Sequence, residues 1–249
     1  KKELESLGHI FQTNSDTEVL LNSYDQWGPD CLNKFNGQWA FAIWDLKEQS
    51  FFLARDRWGV RPLFYSWLRD GRTLVFGSEI KAILADDRVQ REWDHEALRD
   101  IFVSWVPTSN RTPLRSISQL PPGAYMIYRN GSSQIRYWWK VDYSPEAVDW
   151  KRSEESWCEE IRSTLQEACR LRLRADVPVG AYLSGGMDSS IISSLTRQLH
   201  RNELKTFSIA FEDGSMDESE FQQLMAKQLG TDHHQLLTSK ESIAMDFPK

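Results

Sequence analysis

From residue 179 to residue 237, short apolar runs alternate with amphipathic segments. Parallel strands have to be joined by a long crossover, usually a helix, so this alternation restricts the possible folds more than any other feature of the chain. It predicts a parallel, doubly wound α/β sheet. The expected strands cover residues 179–183, 204–211 and 233–237, and the expected helices cover residues 188–199 and 217–229.

The first half of the chain has a different periodicity. Runs of aromatic and β-branched residues, separated by polar or Gly-containing turns, predict an α+β region with antiparallel sheets and helices. The expected strands cover residues 39–45, 51–55, 63–67, 74–77, 124–128 and 134–139. Helices are expected after Ser15, with Glu18 as its capping-box partner, and over residues 94–105. A polar stretch beginning at residue 142 predicts two domains, 1–142 and 143–249.

Composition excludes several classes of function. The chain has 249 residues and a formal net charge of −6, which disfavours non-specific binding to nucleic acids or anionic membranes. No apolar run approaches the roughly 18 residues of a membrane span. The three cysteines show no CxxC spacing, so we expect neither a disulfide framework nor a zinc site. We therefore expect a cytoplasmic protein that binds neither nucleic acid nor membrane.

The strongest chemical signal is the segment LSGGMDSS, residues 183–190, between an expected strand and an expected helix. Glycines let the backbone approach an anion closely, and N–H groups at a helix N-terminus favour phosphate. Asp188 would repel a bare phosphate, so its presence suggests Mg²⁺ bridging it to the phosphates. The pattern GxxxxGK[ST] of P-loop enzymes is absent. The alternative is an ordinary strand–helix turn capped by Ser or Asp.

Several segments carry a resemblance to a known family. LSGGMDSS resembles the pyrophosphate loop of N-type ATP pyrophosphatases, which cleave ATP between the α and β phosphates and form an acyl-adenylate. FNGQWAFAIWDLKEQSFFLARDRWGVRPLFY, followed by FGSEIKAIL, resembles the glutaminase domain of class II amidotransferases. LPPGAYMIY followed by RYWW resembles the passage between those two domains. In this order, the two halves resemble the glutamine-hydrolysing asparagine synthetase family.

The resemblance implies an ATP-dependent ligase that activates the side chain of aspartate as an AMP ester and amidates it with ammonia from glutamine. It implies Asp188 as the Mg²⁺ ligand and Ile209, in a strand whose side chains are expected in the core, as a main-chain contact of adenine. TNSDTEV resembles the segment whose acidic residue holds the α-amino group of glutamine, so Asp16 is the candidate, although it also suits the first turn of a helix. The implied ATP-binding residues are Leu183, Ser184, Gly185, Gly186, Asp188, Ser189, Ser190 and Ile209.

Other family features have no counterpart in this sequence. The family's nucleophile is an N-terminal Cys, whereas this chain begins with Lys1 and its first cysteine is Cys31. A second loop of the type SGxGxDE is also missing. We therefore expect an internal piece of a longer enzyme, with no catalytic nucleophile in this chain. Arg55, Asp56 and Arg61 also match the family pattern, and we expect them to have a structural role, an ion pair that fixes a turn.

Two alternatives stay open at this stage. The first keeps the chemistry but changes the acceptor, as in a β-lactam synthetase-like or peptide-tailoring amide ligase. The second is a non-catalytic nucleotide-binding protein descended from the family. The expected small-molecule partners are glutamine, aspartate and ATP with Mg²⁺, and the sequence leaves a homodimer open.

Overall fold

The computed structural model describes residues 1–200, 203–215 and 217–246. The chain divides into two compact units, Lys1–Ser144 and Pro145–Lys249. This division falls just after the predicted domain boundary between residues 142 and 143, and the extent of each domain stays a prediction. Within the described ranges, none of the helices combines the length and the apolar character needed to cross a bilayer.

The first unit is built around a central strand, β2 (Ser50–Arg55), whose two faces are both buried. Phe52 and Leu53 are 0% and 1% exposed, and adjacent residues of a strand point to opposite faces. Phe52 packs against Cys31, Leu32, Ile43, Ala54 and Tyr125. Leu53 packs against Leu63, Leu120 and Met126. The strand therefore joins two separate hydrophobic clusters.

Two antiparallel sheets make up this unit. The other strands are β1 (Ala40–Asp45), β3 (Phe64–Trp67), β4 (Leu74–Gly77), β5 (Ile117–Gln119), β6 (Ala124–Arg129) and β7 (Ser132–Tyr137). The strand orders are β1-β2-β6-β7 and β4-β3-β5. All strands predicted from the aromatic and β-branched runs are confirmed with small shifts at their ends. The sequence did not predict β5, because its three residues are too few to show a period of two.

The helices of this unit are α1 (Lys2–Ser6), α2 (Asp16–Trp27), α3 (Ile80–Ile83) and α4 (His95–Ser104). Ser15 caps α2 as expected, with its Oγ accepting from the N–H of Thr17 at 3.2 Å. The predicted capping box is wrong. The Glu18 carboxylate accepts from the N–H groups of Gln12 and Thr13, at 2.8 and 2.7 Å, because the preceding chain folds back over the first turn.

Two buried charged side chains hold the turn after β2, and they do not pair with each other. Asp56, 2% exposed, accepts hydrogen bonds from the backbone N–H groups of Trp39, Trp58, Val60 and Arg61. The Arg55 guanidinium donates to the carbonyl oxygens of Gly59, Arg61 and Leu120. The expected ion pair is therefore wrong, because backbone groups compensate the charges of Arg55 and Asp56. Arg61 takes part in the turn through its N–H and its carbonyl oxygen.

Replacing Asp56 with Ala is expected to lower the free energy of unfolding of the first unit by about 3 kcal/mol or more. The reason is that four backbone N–H groups lose a shared buried acceptor. Asp87→Ala is the matched control, because the Asp87 side chain is 99% exposed and its loss should change stability by about 0.5 kcal/mol at most. Urea unfolding measures both, and equal effects would contradict the assignment.

The second unit contains a three-stranded parallel sheet. Its strands and crossover helices are β8 (Gly180–Tyr182), α6 (Met187–Leu199), β9 (Lys205–Phe211), α7 (Ser219–Leu229) and β10 (Asp232–Thr238). The strand order is β10-β9-β8. Helix α5 (Glu154–Arg172) precedes the sheet and α8 (Lys240–Asp246) follows it. The predicted alternation of strands and helices is thereby confirmed as a parallel α/β sheet.

The two faces of β9 differ in burial. Thr206, Ser208 and Ala210 are buried, whereas Phe207 and Ile209 are 40% and 52% exposed. Because α6 and α7 bury polar and small residues of their own, Ser193, Thr196, Gln222 and Ala226, we infer that these helices cover the first face. The expectation that the side chain of Ile209 lies in the core is therefore wrong, since it projects from the other face.

Candidate functional site

The loop of residues 183–190 leaves the sheet at the carboxyl end of β8. Leu183 is 0% exposed, and its N–H donates to the carbonyl oxygen of Phe207 at 2.8 Å. This bond extends the pairing of β8 with β9 by one residue and places the start of the loop beside β9. Ligands of open parallel sheets bind at the carboxyl ends of the strands. The loop is therefore in the position that the sequence predicts for a ligand site.

Two consecutive glycines shape the loop in different ways. Gly185 has φ +89°, and a Cβ there would lie 2.9 Å from the Cβ of Phe221 and 3.1 Å from the N atom of Gln222. Only glycine combines this conformation with this close approach to α7. Gly186 has φ −74° and caps α6, which begins at Met187, one residue before the predicted start.

The N-terminus of α6 opens directly onto the loop. The first N–H groups of a helix have no carbonyl one turn before them, and together with the helix dipole they favour an anion. Asp188 is the second residue of this helix and is exposed. Across residues 1–200, 203–215 and 217–246, no group of three or more His, Cys, Asp and Glu is placed to hold a metal ion. Asp188 is therefore a single exposed carboxylate beside the N-terminus of α6, where a bound anion is favoured.

The serines of the loop hydrogen-bond within it. The Oγ of Ser189 accepts from the N–H of Ser184 at 3.2 Å, lies 2.9 Å from the Oγ of Ser184, and donates to the carbonyl oxygen of Gly186 at 3.1 Å. The N–H of Ser190 donates to the same carbonyl at 3.1 Å. Ser184 and Ser189 thus close the loop on itself, a structural contribution that the sequence did not predict for residues expected to bind phosphate.

Ile209 lies near the carboxyl end of β9. Its carbonyl oxygen accepts a hydrogen bond from the Nε2 of Gln222 at 3.0 Å, and its register partner in β10 is Leu236. Leu183 bonds to Phe207, two residues before Ile209 in the same strand. The fold therefore brings the main chain of Leu183 and Ile209 to the same end of the sheet.

Asp16 belongs to the other unit and is the first residue of α2. It is exposed and directly follows the N-cap residue, Ser15. The Glu18 carboxylate holds the backbone of Gln12 and Thr13 against this first turn. The chain around Asp16 is thereby fixed, and both the helix-terminus interpretation and the glutamine-binding interpretation are compatible with its position.

Cys31, the first cysteine of the chain, is a poor nucleophile. It is 0% exposed, and burial, with a smaller contribution from the charge of Asp30, raises the pKa of its thiol to about 12. A thiol with that pKa is almost entirely protonated at neutral pH, whereas the thiolate is the reactive form. Cys31 packs in the core of the first unit.

Sequence reasoning missed Gln222, a residue of α7 that is 3% exposed and bonded to both the loop and β9. The sequence feature that could have identified it is its spacing, because Gln222 lies four residues before Ala226 and therefore on the same, buried face of α7. Asp217 accepts from the N–H groups of Phe211 and Ser219, so its role is to fix the start of α7.

Comparisons with known proteins agree with this geometry. The family model described as a glutamine amidotransferase domain matches residues 1–139, and the one described as asparagine synthase matches residues 160–249. The chain is 35% identical over 261 residues to asparagine synthetase [glutamine-hydrolyzing] 3 of Bacillus subtilis (strain 168), covering 98% of this chain and 41% of that protein.

Two further relatives show the breadth of the group. Asparagine synthetase [glutamine-hydrolyzing] 1 of the same bacterium is 31% identical over 250 residues, which is 100% of this chain and 38% of that protein. Amidase chyE of Penicillium rubens is 34% identical over 252 residues, which is 95% of this chain and 37% of that protein. The chain therefore spans about 40% of the length of these relatives.

An amidotransferase-type unit is thus followed by a parallel α/β unit with a phosphate-loop pattern. The chain belongs to the glutamine-hydrolysing asparagine synthetase family. The resemblance carried by LSGGMDSS and by the aromatic strands of the first unit is thereby confirmed at the level of the family.

Gly185→Ala is expected to destabilise the second unit by about 2 kcal/mol or more, because a side chain at φ +89° would also overlap α7. Gly186→Ala is the matched control. Its new Cβ would have the Ser184 Oγ at 3.5 Å as nearest neighbour, so the cost should stay below about 1 kcal/mol, the usual penalty for Ala at an N-cap. Thermal unfolding distinguishes them, and a tolerated Gly185→Ala would contradict the loop geometry.

Proposed function

We propose that the native protein is a glutamine-dependent asparagine synthetase. The observation that carries this proposal is the loop 183–190 at the carboxyl end of a parallel sheet, in a chain that matches the amidotransferase and asparagine synthase families in that order. In this reaction an oxygen of the aspartate side chain attacks the α-phosphorus of ATP and pyrophosphate leaves. Ammonia from glutamine then attacks the acyl carbon, and AMP leaves with the oxygen that formed the ester.

The residues of this chain act on the nucleotide. The backbone N–H groups at the start of α6 bind phosphate oxygens and offset the charge of the departing pyrophosphate. Main-chain groups of Leu183, which follows β8, and of Ile209, near the carboxyl end of β9, bind the adenine. The hydroxyls of Ser184 and Ser189 hold the loop in shape, and Ser190 completes its first helical turn. The parallel sheet β10-β9-β8 would continue beyond β8 as the doubly wound arrangement of such domains.

Asp188 fits a magnesium ion that arrives with the nucleotide. Mg²⁺ is usually held by one or two carboxylates together with substrate phosphates and waters, rather than by a protein cage. One exposed carboxylate beside the helix N-terminus matches that donor set. When bound, the ion would neutralise phosphate charge. Asp188 would hold it against the phosphates that the α6 N–H groups bind.

The first unit supplies the ammonia in this proposal. Asp16, held at the first turn of α2, would bind the α-amino group of glutamine. The nucleophile is not assigned to any residue of this chain, and Cys31 does not replace it because its thiol is buried and protonated. Binding of glutamine and release of ammonia are therefore proposed for the native protein.

A second candidate is an amide ligase with another acceptor. This candidate is supported by two relatives that are named amidases, chyE and chry2, to which the chain is 34% and 32% identical. A panel of carboxylate acceptors, scored by pyrophosphate release from ATP in the native protein, distinguishes the two. If the protein is an asparagine synthetase, aspartate should be the only acceptor of the panel that gives pyrophosphate release. Release with another acceptor selects the second candidate, and release with none overturns both in favour of a non-catalytic nucleotide-binding protein.

Asp188→Ala in the native protein is expected to lower acceptor-dependent pyrophosphate release by at least about 100-fold, while glutamine hydrolysis stays within about twofold. The reason is that the proposed carboxylate ligand lies in the second unit only. Asp176→Ala, which removes another exposed aspartate of that unit, is the control and should change neither activity. If Asp188→Ala retains both activities, the magnesium assignment is wrong.

A further inference from the structure

Gln222 occupies an unusual place for a long polar side chain. It lies in the first half of α7, is 3% exposed, and faces the parallel sheet. A buried amide of this kind is costly unless its two N–H groups and its oxygen are hydrogen-bonded. The structure satisfies all of them.

The partners of Gln222 come from three different segments of the second unit. Its Nε2 donates to the carbonyl oxygen of Ile209 at 3.0 Å and makes a longer contact of 3.4 Å with the carbonyl oxygen of Ser184. Its Oε1 accepts from the Nε2 of Gln235 in β10 at 3.0 Å. One side chain therefore connects the loop of residues 183–190 (the phosphate loop of the proposal) after β8, the end of β9 and the middle of β10.

A second observation places the loop on the same helix. The Cα of Gly185 packs so closely on α7 that an added Cβ would lie 2.9 Å from the Cβ of Phe221 and 3.1 Å from the N atom of Gln222. The loop is thus seated on the turn of α7 that carries the Gln222 side chain. Backbone packing and side-chain hydrogen bonds act at one point of contact.

We propose that Gln222 is a positioning residue that fixes the distance between the phosphate loop and the adenine-binding main chain of β9. This inference rests on the proposed nucleotide site. ATP has to contact both parts at once, so a side chain that bonds to Ser184 on one side and Ile209 on the other sets the spacing before the nucleotide arrives. Such preorganisation would raise the affinity of the site for ATP, although Gln222 itself does not contact the nucleotide.

The position therefore requires an amide. Gln222→Met keeps the length and approximate volume of the side chain. It removes both N–H donors of Gln222 and the oxygen that accepts from Gln235. Gln222→Glu would place a carboxylate opposite two carbonyl oxygens, which repel it. Gln223→Met is the matched control, because Gln223 is exposed on the same helix, one residue further on.

The test measures binding of MgATP and of magnesium pyrophosphate to the native protein by isothermal titration calorimetry. Pyrophosphate contacts only the loop, whereas ATP spans both parts. Gln222→Met is expected to raise the Kd for MgATP about tenfold, which corresponds to the loss of one buried hydrogen bond, and to change the Kd for pyrophosphate less than twofold. Gln223→Met should change neither.

A merely structural role gives a different pattern. General destabilisation of the second unit would weaken both ligands equally, and this outcome overturns the positioning role. Unchanged binding of both ligands by Gln222→Met overturns it too. If wild-type protein binds neither ligand, the proposed nucleotide site itself is wrong and the role of Gln222 is overturned with it.

A second variant keeps the inference testable if Gln222→Met does not fold. Gln235→Met leaves Gln222 in place and removes the Nε2 donor that orients its amide, and Gln235 is itself exposed on β10. We expect a smaller selective rise of the Kd for MgATP, with the Kd for pyrophosphate unchanged. Equal changes for the two ligands in this variant contradict the inference.

Discussion

The close contact between the loop at Gly185 and the first turns of α7 is the constraint on which the rest of the second unit depends. It is possible only because residue 185 has no side chain and adopts φ +89°. The contact fixes where α6 begins and therefore where its free N–H groups point. It also brings Ser184 within reach of Gln222, which in turn bonds to Ile209. The geometry of the anion position and that of the neighbouring strand end are set together.

Both units hold part of their backbone in the same way, with buried polar side chains that bond to main-chain groups. In the first unit, Asp56 collects four N–H groups and Arg55 binds carbonyl oxygens around one turn. In the second, Gln222 bonds to the loop after β8 and to β9. Such bonds are directional and short-ranged, so they fix backbone positions that apolar packing alone leaves adjustable. This explains why these side chains are buried although burial is costly for them.

Much of this architecture could be predicted from the sequence because strong local patterns produced it. The alternation after residue 179 predicted the parallel α/β unit, and aromatic runs predicted all but one strand of the first unit, with β5 too short to leave a periodic signal. The loop 183–190 was located because its glycines and its place between strand and helix have a direct physical meaning. These are features of neighbouring residues in the chain.

The errors concern groups that are distant in sequence or that compete for partners. The pattern of Arg55, Asp56 and Arg61 suggested an ion pair, but backbone groups, some from other segments, bind Arg55 and Asp56. The side chain of Ile209 was expected in the core because one strand cannot reveal which of its faces a helix covers. Gln222 was overlooked because its partners, at positions 184, 209 and 235, are brought together only by the fold.

The activity proposed for the native protein is the activation of an acceptor carboxylate as an AMP ester. The most direct measurement uses aspartate labelled with ¹⁸O in its side-chain carboxylate, together with ATP, Mg²⁺ and glutamine, and follows the label by mass spectrometry. The account predicts one ¹⁸O atom in the AMP that accompanies each asparagine, and none in pyrophosphate. Asparagine formed without label in AMP, or with label in inorganic phosphate, would contradict it.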